Sequence, residues 1–302
     1  MRSIETKAYA RVALLGNPSE IFGGKGIGFC VRQLQANVRL EEGEGQLDDE
    51  LLQAGWRVAA PFLRESGAQV DGHPFQLEVE TDIPLHTGLS RSSAILTAAF
   101  RAWQGYFDVS WSRARVAQLV LQTEVEVLGI QAGALDRLVQ SFEGLVTMDF
   151  SRPFAPDSTQ RMDPGLLPEM LVCWSDESQE SSDAAHIPLL ERFESGDETV
   201  RSVVAELAEL AVQGKRALES RDRAHLATLI DRNLDLRAQL YEIPPNDRAM
   251  IELGREKGAA TKLCGSGGSV LVLPAHPEET AELRDAFEEA GYHVLIPVIA
   301  EP

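Results

Sequence analysis

Gly88, Ser90, Ser92 and Ser93 lie together in the stretch PLHTGLSRSSA, Pro84 to Ala94, and residues of these types suit the binding of an anion. Before them Phe75, Leu77, Val79, Thr81 and Ile83 fall at period two, the pattern of a half-buried strand. After them Ala94, Ile95, Ala98, Ala99, Ala102 and Trp103 recur at helical spacing. A strand, loop and helix in this order leaves the first helical N–H groups without internal partners, at the positive end of the helix dipole. A glycine lets the loop backbone approach a phosphate closely. Ser92 or Ser93 can add a hydroxyl for Mg²⁺, a cation that prefers oxygen. No GxxxxGK[ST] occurs, so the loop is not a Walker A. Alone, the stretch also reads as a serine-capped helix after a tight turn.

Other candidates for chemistry are scattered. Arg11 is the one charge in the apolar run Ala8 to Leu15, and a buried charge needs a partner. On its own it reads as a structural ion pair at a strand end. Lys25, between glycines, can contact an anion or sit at a solvated loop tip. Glu124 and Glu126 lie near the end of a helical run that starts at Ser112. Asp136 follows a glycine-containing loop and opens another apolar helical stretch, so spacing alone reads it as an N-terminal cap. A second glycine-rich turn, Gly265 to Gly268, separates two short extended runs.

The elements that must position these residues follow from the rest of the chain. Ala8 to Leu15 and Phe29 to Leu40 read as strands, with Gly23 to Gly28 between them. Leu51 to Ser66 and Ser112 to Leu128 read as helices, and Gly144 to Phe150 as a strand. Four prolines between Ser151 and Pro168 mark a domain boundary. Beyond it, a strand is expected at Met170 to Trp174, helices between Asp197 and Ala238, at Asn246 to Lys257 and at Pro277 to Ala290, and a final strand at His293 to Ala300. Strands and helices in this order suggest an α+β sandwich rather than a doubly wound sheet.

At 302 residues the chain has room for one large domain or two moderate ones. Its apolar fraction of 44% and charged fraction of 25% are those of an ordinary globular protein. The net charge of −19 argues against a nucleic-acid surface, though local basic residues can still govern an anionic cleft. No apolar run reaches the roughly 18 residues of a membrane span, and no signal peptide is expected. Three widely separated cysteines, Cys30, Cys173 and Cys264, suit reduced thiols and a cytoplasmic location. Metal-type Cys/His spacing is absent.

Three blocks, in order, resemble the GHMP kinases, the family of galactokinase, homoserine kinase and mevalonate kinase. They are ARVALLGN (Ala10 to Asn17), PLHTGLSRSSA (Pro84 to Ala94) and KLCGSGGSVLVL (Lys262 to Leu273). A nearer resemblance is to plant-type glucuronokinases, through LLGNPSEIFGGKGI, IPLHTGLSRSSAIL, LGIQAGALDRLVQSFEGLVTMDF, RNLDLRAQL and GAATKLCGSGGSV. The pattern departs from that family at Arg91, Cys264 and Leu135.

The resemblance implies a two-domain α+β fold. Residues 1–160 would form the ATP-binding domain, a mixed sheet with helices, and residues 161–302 a ferredoxin-like α/β sandwich. It implies an ATP- and Mg²⁺-dependent kinase acting on the anomeric hydroxyl of a sugar acid, glucuronate giving glucuronate 1-phosphate, as a monomer or homodimer. The alternatives are another sugar (galacturonate, a heptose or a neutral hexose), or a non-catalytic sugar-binding regulator. Asp136 would accept the proton, with Arg11 beside it. Pro84, Thr87, Gly88, Leu89, Ser90, Arg91, Ser92 and Ser93, with Gly265, Ser266 and Gly267, would surround the nucleotide. Ser93 and Glu124 would hold the metal, and Glu126 is the competing carboxylate. Asn17, Ser19, Lys25, His186, Asn233 and Arg237 are candidate sugar contacts, with Lys25 or Arg237 offered to the carboxylate.

Overall fold

The structure, a computed structural model, describes residues 2–43, 45, 47–72, 74–176 and 186–301. The first sheet is built on β2 (Lys25–Glu42), which runs antiparallel to β1 (Ser3–Leu15) along most of its length. The other edge of β2 is shared: its later half pairs with β3 (Phe75–Thr81) and its earlier half with β4 (Leu145–Asp149), which pairs with β5 (Thr159–Met162). Every ladder is antiparallel, so the mixed sheet expected here is an antiparallel one. β5 lies within the proline-rich stretch, where no strand was expected.

β1 changes character along its length. Ser3 to Lys7 alternates between exposed and half-buried, whereas Ala8 to Leu15 is buried at every position. That continuous burial has a two-sided cause. Ala8, Ala10, Val12 and Leu14 pack into the main core with α2 (Arg91–Tyr106). Tyr9 and Ala13 pack with Leu135, Leu138 and Val139 of α4 (Leu135–Phe142) on the other face. Arg11 is odd-numbered, so period-two geometry turns it towards α4. Among the remaining helices of this half, α1 (Glu50–Glu65) is capped by Asp49, whose side chain accepts from the Leu52 N–H. α3 (Arg113–Gln122) runs into a single π-helical turn, Thr123 to Val127.

The second sheet has the order β7-β8-β6-β9, all antiparallel, with β6 Leu171–Trp174, β7 Ala260–Leu263, β8 Ser269–Leu273 and β9 His293–Leu295. Val270 and Val272 face a core made with α8 (Pro245–Glu256) and α9 (Thr280–Glu289), while Leu271 and Leu273 face the main core. α5 (His186–Glu194), α6 (Glu198–Glu219) and α7 (Arg223–Arg237) lie between. Leu207, Leu210 and Ala211 of α6 join the first sheet's core, so one apolar interior runs beneath both sheets.

Two further ties fix the halves together. The Lys262 ammonium is buried and donates to the carbonyls of Ala13 and Leu263 and to Asn17 Oδ1, at 2.7, 2.7 and 3.0 Å. The expected final strand is shorter than the sequence suggested: after Leu295 the chain leaves the second sheet. The Ala300 N–H donates to the Cys30 carbonyl, and Gly144 N–H donates to Ala300.

Candidate active site

The odd face of β1 brings Arg11 to the centre of a cavity of about 240 Å³. Its Nε and Nη2 donate to the two carboxylate oxygens of Asp136 at 2.6 and 2.8 Å. Its Nη1 donates to the carbonyls of Gly88 (2.6 Å) and Cys264 (3.2 Å). One guanidinium thus joins the first strand, the serine-rich loop, the second glycine turn and the start of α4. Asp136 is not a helix cap: Ala134 stands at that position, without a side-chain bond, and the carboxylate turns instead to Arg11 and to the Ser90 hydroxyl. Burial pushes this carboxyl up, but Arg11 and then Arg137 outweigh it and hold it down at about 2.

The serine-rich loop ends in Ser90, which adopts a left-handed conformation (φ 61°) and precedes α2 without capping it by its side chain. The N–H groups of the first helical turn therefore stay available at the cavity, where Gly88, Ser90, Arg91, Ser92 and Ser93 all appear. The loop is braced from behind. A Cβ on Gly88 would lie 2.4 Å from the Gly267 carbonyl oxygen, and one on Gly265 would lie 2.2 Å from that of Gly88. Only glycines allow two backbones to meet so closely. Ser269 Oγ donates to the Thr87 carbonyl at 2.6 Å. Gly265 and Ser266 reach the cavity; Pro84, Thr87, Leu89 and Gly267 do not line it and act as the loop's support. Arg91 is half-buried at the cavity wall, and its Nη1 donates to the Ile83 carbonyl at 2.8 Å, tying the start of α2 back to the segment that enters the loop.

Ser93 and Glu124 are both buried, and the Ser93 hydroxyl donates to Glu124 Oε1 at 2.8 Å. The π-helical turn turns Glu124 inward, while Glu126 is exposed and accepts from Gln122. Among the described residues no three His, Cys, Asp or Glu side chains cluster as a metal cage. One carboxylate and one hydroxyl beside a phosphate-type helix terminus suit Mg²⁺, which keeps waters and phosphate oxygens in its shell.

The candidate sugar contacts separate. Asn17 and Arg237 are buried and line the cavity. Lys25 does not: it is exposed and pairs with Asp149 at 3.6 Å. Ser19 is spent on the Lys25 carbonyl, and Asn233 accepts from Gly16 N–H and donates to the Asn17 carbonyl, so both shape the loop from behind. The side chain of His186 lies outside the described residues.

Two further cavity residues, Glu20 and Arg137, were not among the candidates, although both lie within blocks that carry the resemblance. Arg137 left one trace: a cation in the first turn of a helix opposes the dipole and implies a specific partner. Glu20 Oε2 is shut off from solvent with no hydrogen-bond partner, and burial pushes this carboxyl up to about 7. Its folded value is above the ordinary 4.5, so the folded state loses stability as pH rises from 4.5 to about 7. Glu20→Gln is therefore expected to melt above wild type at pH 8, with the gap closing below about pH 4.5. A gap that stays constant across this range removes Glu20's burial as its cause.

Sequence comparison finds the GHMP kinases N terminal domain at residues 54–144 and the GHMP kinases C terminal domain at residues 215–293. The chain is 30% identical to Glucuronokinase 1 of Arabidopsis thaliana, over 99% of this chain and 93% of that protein. It is 33% identical to Probable glucuronokinase 2 of the same plant, over 96% and 90%. Among solved structures, Lactococcus lactis galactokinase complexed with galactose superimposes with a TM-score of 0.82 at 16% identity, over 99% of this chain and 94% of that one.

Proposed function

The chain belongs to the GHMP kinases and is an ATP-dependent sugar kinase, and from that premise we propose that its acceptor is a hexuronate, glucuronate, phosphorylated on the anomeric hydroxyl. The observation that carries this reading is Arg237. Of the three buried arginines at the cavity, Arg11 is paired with Asp136 and Arg137 with Glu124. Among the described residues Arg237 has no ion-pair partner; its Nη2 donates to the Ser266 carbonyl at 2.9 Å, and its guanidinium lies 5.2 Å from the Tyr241 ring centroid. Burial pulls its pKa down by more than Tyr241, Glu20 and Asp247 together raise it, so the cation is only partly compensated. A sugar carboxylate supplies the missing charge by a two-pronged contact. Asn17 and the unpartnered oxygen of Glu20 then face ring hydroxyls.

Phosphoryl transfer depends on alignment and charge neutralisation more than on covalent chemistry. The N–H groups at the start of α2 hold the phosphates of ATP. Ser93 and Glu124 would hold Mg²⁺, which would neutralise phosphate charge there. Asp136 aligns the anomeric hydroxyl by accepting its hydrogen. A carboxylate held near 2 is a weak base, so it takes the proton late, after bonding to phosphorus has made the hydroxyl strongly acidic. Arg11 keeps the carboxylate turned towards the cavity.

The test is ADP release with glucuronate, galacturonate, glucose and glucuronamide, for wild type and Arg237→Met. Wild type is expected to favour glucuronate. Arg237→Met should raise KM for glucuronate at least about tenfold, about 1.4 kcal/mol, and leave KM for ATP within threefold. Equal use of glucose and glucuronate by wild type overturns the uronate reading; an unchanged glucuronate KM in the variant removes Arg237 from it.

A further inference from the structure

The metal-binding pair has a third member. Arg137 is buried, and its Nε donates to Glu124 Oε2, while Oε1 of the same carboxylate holds the Ser93 hydroxyl. Nη1 donates to the Gly133 carbonyl at 3.0 Å and lies 3.5 Å from Asp136 Oδ2. The guanidinium is therefore anchored on three sides and cannot swing away. Of Glu124's two oxygens, one is committed to Arg137 and the other points to Ser93.

Resting on the reading that Ser93 and Glu124 hold the divalent cation, we propose that Arg137 is a positioning residue that restricts Glu124 to a single available oxygen and thereby selects Mg²⁺ over Ca²⁺. The physical reason is coordination geometry. Mg²⁺ demands a compact octahedron and takes carboxylates through one oxygen, whereas Ca²⁺ has a larger shell and readily takes both oxygens of one carboxylate. With Oε2 engaged by Arg137, the two-oxygen mode is closed. Oε1 and Ser93 Oγ, 2.8 Å apart, would then be the two side-chain oxygens offered to the cation. Arg137 also keeps the buried carboxylate compensated before any metal arrives, so the site need not rearrange to receive it.

The experiment reads cation affinity rather than turnover. The full chain is saturated with a non-hydrolysable ATP analogue and titrated with Mg²⁺ or Ca²⁺, and the half-saturating concentration is taken from the rise in Tm. The nucleotide's own affinity for each cation cancels when variants are compared. Loss of a group that orients a metal ligand typically weakens binding about 10–100-fold. Arg137→Met is therefore expected to weaken Mg²⁺ by about that factor and Ca²⁺ by much less, so the Mg²⁺/Ca²⁺ preference falls at least about tenfold. Arg137→Lys, which keeps the charge but not the fork, should show the same direction and serves if the methionine variant does not fold. Equal weakening of both cations, or no change in either, overturns the proposal and leaves Arg137 a structural partner of Glu124. Glu124→Gln separates this from failure of the metal reading itself: if it leaves Mg²⁺ affinity untouched, Glu124 is not a ligand and the premise has failed.

Discussion

Asp136→Asn is expected to keep the fold and lose about 10²–10⁴-fold in turnover, the usual effect of removing a proton acceptor. The carboxylate is the meeting point of the site: it accepts from Arg11 twice and from Ser90, with Arg137 close by. An amide keeps the shape but offers one acceptor atom instead of two. Its NH2 must face either Arg11, which can only donate, or the sugar hydroxyl, which has its proton to give. Alignment suffers in one case and proton transfer in the other. The measurement is kcat under saturating ATP and sugar, with circular dichroism to verify the fold. Turnover within tenfold of wild type would reduce Asp136 to a structural partner of Arg11.

Arg11→Met is expected to damage stability and turnover together. Methionine replaces the apolar stem, but four hydrogen bonds are lost: two to Asp136 and one each to the Gly88 and Cys264 carbonyls. Breaking a buried ion pair from one side typically costs about 3–5 kcal/mol, because the remaining charge stays buried. The pair's contribution is present above the ordinary carboxylate value of 3.8 and is lost as pH falls towards about 2, so the full difference should be seen at neutral pH. Chemical denaturation at pH 7 measures it. Turnover should fall at least as far as in Asp136→Asn, since the loop, the second glycine turn and α4 lose their common anchor. A stability loss under about 1 kcal/mol would mean that solvent replaces the guanidinium and that the site is wetter than its burial implies. Arg11→Lys should fall between the two, restoring the charge but not the fork.

Local pattern alone was enough for much of this protein. The alternation from Phe75 to Ile83, the glycine and serines after it, and the helical spacing from Ala94 to Trp103 are short-range properties, and they mark the strand–loop–helix junction directly. The same holds for the apolar run Ala8 to Leu15, for the second glycine turn, and for the order of the three blocks that point to the family. What no local pattern contains is which side chains meet. Arg11 and Asp136 are 125 residues apart, and Arg11 and Cys264 are 253 apart. Their contact depends on how α4 and the second sheet dock against β1. Asp136 therefore looked like a cap until its partner was in place. Lys25 and Arg237 were equal candidates for an anion by residue type, and only tertiary structure separated them. One is at the surface with Asp149; the other is buried at the cavity with no ion pair among the described residues. Arg137 and Glu20 stayed hidden for the same reason. A charged residue's role is set by what surrounds it after burial, where desolvation and the nearest opposite charge outweigh any property of its own segment.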